Sequence, residues 1–128
     1  MAQTAEYIPG VCNIGKAEIN QRLRFGWIGV GFTLVLAAVF FASGIAPAWR
    51  LLLFFPAAGA ATGLLQGYLH FCSGFGFKGV LNFGSEVGKT DTVMQAEFRK
   101  KDRQKALNII LWSGLIGAAV AVATFLIV

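Results

Sequence analysis

Residues 50–77, RLLLFFPAAGAATGLLQGYLHFCSGFGF, form a dense run of apolar and small side chains. After Arg50 the run contains no Asp, Glu, Lys or Arg. A helix needs about 20 such residues to cross a hydrocarbon core that is about 30 Å thick. We therefore predict a transmembrane helix over residues 49–71. Pro56 lies one turn inside it and predicts a bend, which membrane helices tolerate when neighbours satisfy the freed carbonyl.

Residues 25–43 and 106–128 are two further apolar stretches of similar length. The chain of 128 residues is 56% hydrophobic and 13% charged, which is about half of the roughly 25% that is typical of soluble domains. Residues 43–47, SGIAP, end the first helix, and so short a connection returns the next helix antiparallel. The sequence predicts an all-α integral membrane protein with three transmembrane helices, at about 25–43, 49–71 and 106–128.

One membrane domain accounts for residues 1–128 in this interpretation. Residues 92–95, TVMQ, fit a capping box and predict that a helix begins there. The domain has four parts, which are a cytoplasmic tail (1–15), a helical hairpin (16–71), a cytoplasmic Gly-rich loop with a basic helix start (72–105) and the third span (106–128).

The cations indicate how the helices are oriented. All 11 Lys and Arg residues except Arg50 precede the first span or separate the second span from the third. A three-span topology puts these positions on one side, and the positive-inside rule assigns that side to the cytoplasm. We expect a cytoplasmic N-terminus and a periplasmic C-terminus. The densest cluster of cations is expected to meet anionic lipid headgroups. It consists of Arg99, Lys100, Lys101, Arg103 and Lys105.

A stripe of small residues runs along the second helix. Gly59, Gly63 and Gly67 recur every four residues and fall within roughly 80° of one another on a helix. Gln66 and His70 project onto the same face, and the third helix carries a second stripe. Small residues and polar groups allow helices to associate in lipid, where apolar surface alone does not. Whether this face packs inside one chain or against another is left open. The predicted packing residues are Gly59, Gly63, Gly67, Gln66, His70 and Gly117.

His70 is the only histidine in the chain. An ionisable residue near the end of a membrane helix can ligate haem or relay a proton, and a pigment or quinone beside the Phe-rich surface is a related alternative. One copy cannot supply two histidines to a haem. The competing interpretation is a neutral histidine that bonds a loop carbonyl or a lipid headgroup. On that basis we predict no cofactor and no metal site.

Cys12 and Cys72 both lie just outside the same predicted membrane face. A reactive thiol needs a lowered pKa, which Lys16, Lys78 or His70 can supply. The competing interpretation is two small, partly buried residues without chemistry. A structural disulfide is not expected in the reducing cytoplasm. A reactive thiol pair stays open as an alternative.

Two glycine patterns resemble nucleotide-binding motifs. Residues 74–79, GFGFKG, match G-x-G-x-x-G but follow a membrane helix instead of a strand. Residues 84–90, GSEVGKT, have one residue too few between the glycines for a P-loop. The net charge of +5 fits anionic headgroups better than nucleic acid, because it accompanies long apolar runs. We therefore predict neither nucleotide nor nucleic acid as a ligand.

Several short motifs together resemble a known family. They are residues 11–15 (VCNIG), Glu18, Arg22, Gly26, residues 53–56 (LFFP) and residues 71–76 (FCSGFG). Over residues 11–83 the chain resembles a small bacterial inner-membrane domain of unknown function that also forms the transmembrane part of YgaP-type rhodaneses. The resemblance implies the bacterial inner membrane, a helical hairpin and self-association. Relatives often have Cys-Pro where this chain has Cys72-Ser73, and the rhodanese catalytic domain is absent, so sulfur transfer is not implied.

These observations favour a non-enzymatic membrane protein. We expect a structural or accessory subunit, or a self-associating component, of a bacterial inner-membrane complex. Its expected partners are anionic lipids of the cytoplasmic leaflet and other membrane subunits or a second copy. One alternative is thiol or sulfur handling at the cytoplasmic face by Cys12 and Cys72. Another is binding of a pigment, haem or quinone near His70.

Overall fold

The computed structural model describes residues 7–127 and is mostly helical. The helices are α1 (Lys16–Ser43), a 3₁₀ helix (Pro47–Leu53) that runs directly into α2 (Phe54–Leu69), α3 (Ser73–Lys78) and α4 (Ala96–Leu126). Two short strands, β1 (Val80–Leu81) and β2 (Asp91–Thr92), pair antiparallel.

Within residues 7–127, three helical segments are long and apolar enough to cross a membrane. They are Lys16–Ser43, Pro47–Leu69 and Ala96–Leu126. The prediction of a helical fold with three such helices is confirmed. Both α1 and α4 begin about ten residues before the predicted spans, so each apolar segment continues a more polar one without a break.

The predicted capping box at residues 92–95 is wrong. Thr92 belongs to β2, where it pairs with Val80. The helix begins only at Ala96, with Gln95 as its N-cap and no side-chain cap. The backbone of residue 92 is used by the two-stranded sheet, so its side chain is not placed at a helix start.

The central helix of the bundle is α2, which packs against α1 on one side and α4 on the other. A Cβ added at Gly63 would lie 2.9 Å from the Cα of Gly26 on α1. A Cβ added at Gly117 on α4 would lie 2.8 Å from the Cβ of Ala58. Backbones approach this closely only where side chains are missing or small, which is how helices gain contact in lipid.

A polar layer closes the end of the bundle where α1 and α4 begin. We call residues 7–24 and 70–106, which form this layer, the polar cap. Four polar side chains are almost completely buried in it, with exposed fractions of 2% or less. They are Asn13, Glu18, Asn82 and Asp102. The core of the polar cap is therefore built from hydrogen bonds as well as apolar packing.

The opposite end of the bundle contains the turn between α1 and the 3₁₀ helix. Gly44 ends α1 with a φ of 66°, a left-handed conformation that glycine adopts without a steric penalty. Arg50 is buried at this end, where its Nη1 donates to the carbonyl oxygens of Thr124 (3.1 Å) and Ile127 (2.6 Å). Its guanidinium carbon lies 4.2 Å from the ring centre of Phe41. Arg50 therefore joins all three long helical segments.

Candidate functional site

Asn13 attaches the N-terminal segment to the end of α2. Its Nδ2 donates to the carbonyl of Cys72 (3.2 Å), and its Oδ1 accepts from the backbone N–H of Cys72 (2.7 Å). Its own backbone N–H donates to the carbonyl of His70, and its carbonyl accepts from the N–H of Asn82. Residues 7–15, predicted as part of a cytoplasmic tail, are thus held against the rest of the polar cap. Residues 1–6 lie outside the described part of the chain.

The carboxylate of Glu18 organises the second part of the polar cap. It forms an ion pair with Arg22 one turn along α1. It also accepts from Asn82 Nδ2 and from the backbone N–H of Gly88, both at 2.7 Å. A buried carboxylate needs such partners, because an unpaired buried charge is strongly destabilising. Glu18 therefore holds the segment between β1 and β2 against α1.

A second buried carboxylate, Asp102 on α4, binds the N-terminal segment. It accepts from the Tyr7 hydroxyl (2.6 Å) and from the backbone N–H of Gly10 (2.8 Å). Burial of the phenol, followed by the hydrogen bond to Asp102, raises the pKa of Tyr7 above its ordinary value. Glu18 and Asp102 were not predicted as organising residues. The acidic residues are few, but nothing in their spacing indicates these partners.

Cys72 and Cys12 have different surroundings. Cys72 is 5% exposed, and Arg22 Nη2 donates to its sulfur at 3.1 Å. Arg22 also lies over the ring of Phe75, 5.5 Å from its centre. The Cys12 thiol donates to the carbonyl of Ile14 (3.7 Å), and its burial raises its pKa. Neither cysteine forms a disulfide with any described residue.

His70 ends α2 and does not continue its packing face. It has a φ of 57° and is exposed, and its backbone N–H donates to the carbonyl of Gln66. The 100° spacing that put it on the glycine face does not extend to it, because α2 ends at Leu69, and its role in helix packing stays a prediction. Binding of a pigment, haem or quinone near His70 stays a prediction.

Gln66 is buried on α2 and binds the start of α3. Its Oε1 accepts from the backbone N–H (2.8 Å) and the hydroxyl (3.1 Å) of Ser73. The contact turns the chain from the end of α2 into the polar cap. The predicted packing of Gln66 between helices of different chains then concerns its Nε2 group, because Oε1 is used by Ser73.

The glycine stripe of α2 is divided between two environments. Gly63 meets Gly26, as described above, and a Cβ at Gly67 would collide with the side chain of Leu23. Both residues, with Gly117, lie at contacts inside this chain. At Gly59, no described atom outside its own helix backbone lies within 4 Å of the Cβ position.

One residue of the basic cluster, Arg99, forms hydrogen bonds within the chain. Arg99 is half-buried, and its Nη1 donates to the carbonyls of Val93 (2.6 Å) and Met94 (3.0 Å). It therefore fixes the connection between β2 and α4. The other cations remain accessible to a ligand to different degrees. Lys100, Lys101 and Arg103 are exposed, and Lys105 is half-buried.

Because α1 and α4 flank α2, two grooves run along its open faces. One has a volume of about 270 Å³, and its floor is formed by Ala57, Ala60 and Ala61. We call it the alanine groove. The other has a volume of about 460 Å³ and contains Gly59 beside Phe25 of α1. We call it the Gly59 groove, and its polar end is lined by Gln21, Arg22 and Gln66.

Comparison with protein families, with curated proteins and with solved structures finds no match to this chain.

Proposed function

We propose that this chain is a non-catalytic, multi-pass protein of the bacterial inner membrane that serves as a structural or accessory subunit. It associates with a second copy or with another membrane subunit through the Gly59 groove. The three helices that are long and apolar enough to span a membrane support the membrane part of this proposal. The choice of the bacterial inner membrane comes from the expected resemblance to the YgaP-type transmembrane domain, which is itself part of the proposal.

The single observation that supports the association is that the Cβ position of Gly59 is not covered by another helix of this chain. Gly63, Gly67 and Gly117 are covered by helices of the same chain, whereas the Cβ position of Gly59 is open. Phe55, one turn earlier on α2, is 67% exposed. A partner helix can reach the backbone of α2 here, and close approach is what stabilises helix pairs in lipid.

The distribution of cations and aromatic rings supports a cytoplasmic polar cap. Within residues 7–127, every Lys and Arg except Arg50 lies in the polar cap or next to it. Trp27, Tyr68 and Trp112 are exposed near the boundary between the polar cap and the apolar part of the bundle. Tryptophan and tyrosine prefer membrane interfaces, and basic residues prefer the cytoplasmic side. We therefore assign the N-terminus to the cytoplasm and the C-terminus to the periplasm.

The buried charges of the polar cap support a structural role. Glu18 is occupied by Arg22, Asn82 and Gly88, and Asp102 is occupied by Tyr7 and Gly10. These carboxylates join segments of the chain that are far apart in sequence. Such contacts make the polar cap a rigid support for the helices, which is what an accessory subunit provides.

The test compares Gly59→Leu with Gly31→Leu after gentle detergent extraction and native mass spectrometry. Gly31 is the matched control, because its Cβ position on α1 also has no described neighbour within 4 Å. We expect the wild type and Gly31→Leu to travel as oligomers or with partner subunits, and Gly59→Leu to be mainly monomeric. A wild type that is monomeric and free of partners contradicts the proposal, as does equal loss in both variants.

A second candidate function is thiol chemistry at Cys72. The observation that favours it is the 3.1 Å contact from Arg22 Nη2 to Cys72 Sγ, because reactive cysteines are typically found beside cationic side chains. The test measures the alkylation rate of Cys72 at neutral pH in a Cys12→Ser background, with and without Arg22→Gln. We expect Arg22→Gln to slow alkylation. A Cys72 that reacts no faster than an unfolded thiol contradicts this function.

A further inference from the structure

We propose that an anionic glycerophospholipid of the cytoplasmic leaflet binds along one side of α4. Its phosphate lies between Lys101 and Lys105, and one acyl chain enters the alanine groove. This inference does not depend on association through the Gly59 groove, which opens on the other face of α2.

The headgroup end of the site is a polar pocket of about 390 Å³. Lys101, Lys105 and Asn108 supply donors from α4, and Pro9 and Gly10 form a wall from the N-terminal segment. That wall is held in place, because the N–H of Gly10 donates to Asp102. The Asp102 carboxylate is completely buried and is occupied by Tyr7 and Gly10. Within residues 7–127, neither lysine forms an ion pair with a carboxylate, so both are available to an external anion.

The order of residues along α4 matches the layers of a phospholipid. Trp112 and Ile116 follow Lys105 by seven and eleven residues, which places all three within roughly 20° of one line on the helix. Trp112 is 61% exposed, at the level where indole rings meet the glycerol and carbonyl layer. Ile116 lies about 16 Å below Lys105 along the helix axis. A cation, an indole and an apolar side chain thus follow one another at increasing depth.

The side chain of Ile116 lines the alanine groove. The groove is almost entirely apolar, and its walls come from three helices, with Leu34 on α1 and Ile116 on α4 above the alanines of α2. The groove is deep at its floor because the side chains of Ala57, Ala60 and Ala61 are too short to fill it. A flexible hydrocarbon chain fits such a slot at the depth at which the acyl chain of a headgroup-anchored lipid arrives.

Charge complementarity selects an anionic lipid over other occupants. Each Lys or Arg near an anionic surface adds about fivefold in affinity, from about 1 kcal/mol per cation. A zwitterionic lipid carries an ammonium group that competes with the lysines for its own phosphate. Inorganic phosphate satisfies the lysines but leaves the alanine groove empty. A second helix fills the groove but brings no anion to Lys101 and Lys105.

The test measures lipid retention by native mass spectrometry of the full chain in mild detergent. The probes are phosphatidylglycerol and phosphatidylethanolamine, added at equal concentration, with inorganic phosphate in a separate arm. We expect preferential retention of phosphatidylglycerol. The double variant Lys101→Gln, Lys105→Gln is expected to reduce it at least about tenfold. The control Lys16→Gln, Arg24→Gln removes the same charge from exposed positions of α1 that do not line the pocket and is expected to change retention less than about twofold.

The acyl-chain part of the proposal is tested by Ile116→Phe, which narrows the alanine groove. Leu115→Phe is its control, because Leu115 is also exposed but does not line the groove. We expect only Ile116→Phe to lower phosphatidylglycerol retention. Equal loss in both charge variants, insensitivity to Ile116→Phe, binding of inorganic phosphate alone, or a lipid-free dimer that Ile116→Phe disrupts would each overturn the proposal.

Discussion

The Cα of Gly26 on α1 lies 2.9 Å from the position that a Cβ on Gly63 of α2 would occupy. The carbonyl oxygen of Arg22 lies 3.0 Å from the same position. Both neighbours are backbone atoms of a helix, so they cannot move aside as the tip of a side chain can. This contact sets the spacing between α1 and α2, and it brings Arg22 within reach of Cys72.

Gly63→Ala is therefore expected to destabilise the protein. The added methyl group must push α1 away from α2, and overpacking of this kind typically costs about 1–3 kcal/mol. Gly59→Ala is the matched control, because it makes the same chemical change on the same helix at an open position. Thermal unfolding in detergent, followed by circular dichroism, should show a lower midpoint for Gly63→Ala only. Equal midpoints for the two variants would contradict the close approach of α1 and α2.

Asn13→Ala is expected to release the N-terminal segment from Cys72 and the rest of the polar cap. The change removes both side-chain hydrogen bonds to Cys72. The buried N–H of Cys72 is left without this partner, whereas its carbonyl still accepts from the N–H of Gly76. An unsatisfied buried N–H costs about 1–3 kcal/mol. We expect faster amide hydrogen exchange at Cys72 and a lower unfolding midpoint. The control is Asn20→Ala at an exposed position of α1, and a similar effect of both variants would refute this role.

The bond between Tyr7 and Asp102 predicts a dependence on alkaline pH. The pKa of Tyr7 is raised by burial and by this hydrogen bond, so the folded state holds the phenolic proton more tightly than the unfolded state does. The stabilisation is fully present below about pH 10, the ordinary pKa of tyrosine, and is lost as the pH rises through the raised value.

This dependence can be followed by ultraviolet absorbance of tyrosinate. The difference between the absorbance titration curves of the wild type and of Tyr7→Phe should contain a component that titrates above pH 10. Tyr68→Phe should retain that component, because it leaves Tyr7 unchanged. A component that titrates at the ordinary value in the folded protein would contradict the buried bond to Asp102.

Arg50→Leu is expected to loosen the C-terminal turn of α4. The arginine donates to the carbonyls of Thr124 and Ile127, and a cation at a helix C-terminus also interacts favourably with the helix dipole. Hydrogen bonds from charged groups contribute about 1.5–3 kcal/mol. Hydrogen exchange should accelerate at the end of α4 but not near Ala106.

Phe41→Leu separates the two roles of Arg50. It removes the aromatic ring beneath the guanidinium and keeps the hydrogen bonds to α4. We expect a smaller effect on exchange at the end of α4 than that of Arg50→Leu. An unchanged exchange profile in Arg50→Leu would show that the end of α4 holds together without this residue.

The predicted spans and the observed helices agree where composition alone decides. Residues 49–71 and the segment Pro47–Leu69 nearly coincide, because a long apolar run with a single charge favours a helix of membrane-spanning length. The packing of Gly63, Gly67 and Gly117 could also be anticipated, since small residues at a spacing of four mark a close helix contact. The separate fate of Gly59 could not, because it depends on which side of α2 the two neighbours occupy.

The polar cap was the least predictable part. Asn13 bonds Cys72 across 59 positions of sequence, and Asp102 bonds Tyr7 across 95. The periodicity of the sequence does not predict such pairs, because each depends on how segments that are far apart in sequence are placed relative to one another. The left-handed conformation of His70 has the same origin, because the chain must leave α2 at an angle that brings Cys72 to Asn13.

The sequence by itself determined that the chain forms three long apolar helices with its cations gathered between and before them. Hydrophobic length and charge are local properties, and they act on each segment without reference to the others. The tertiary structure alone decided that α2 is central, that Gly59 stays open while Gly63 is covered, and that Glu18 and Asp102 bind the polar cap together. These depend on which backbone and side-chain atoms come within about 3–4 Å of one another, and only the packed chain sets those distances.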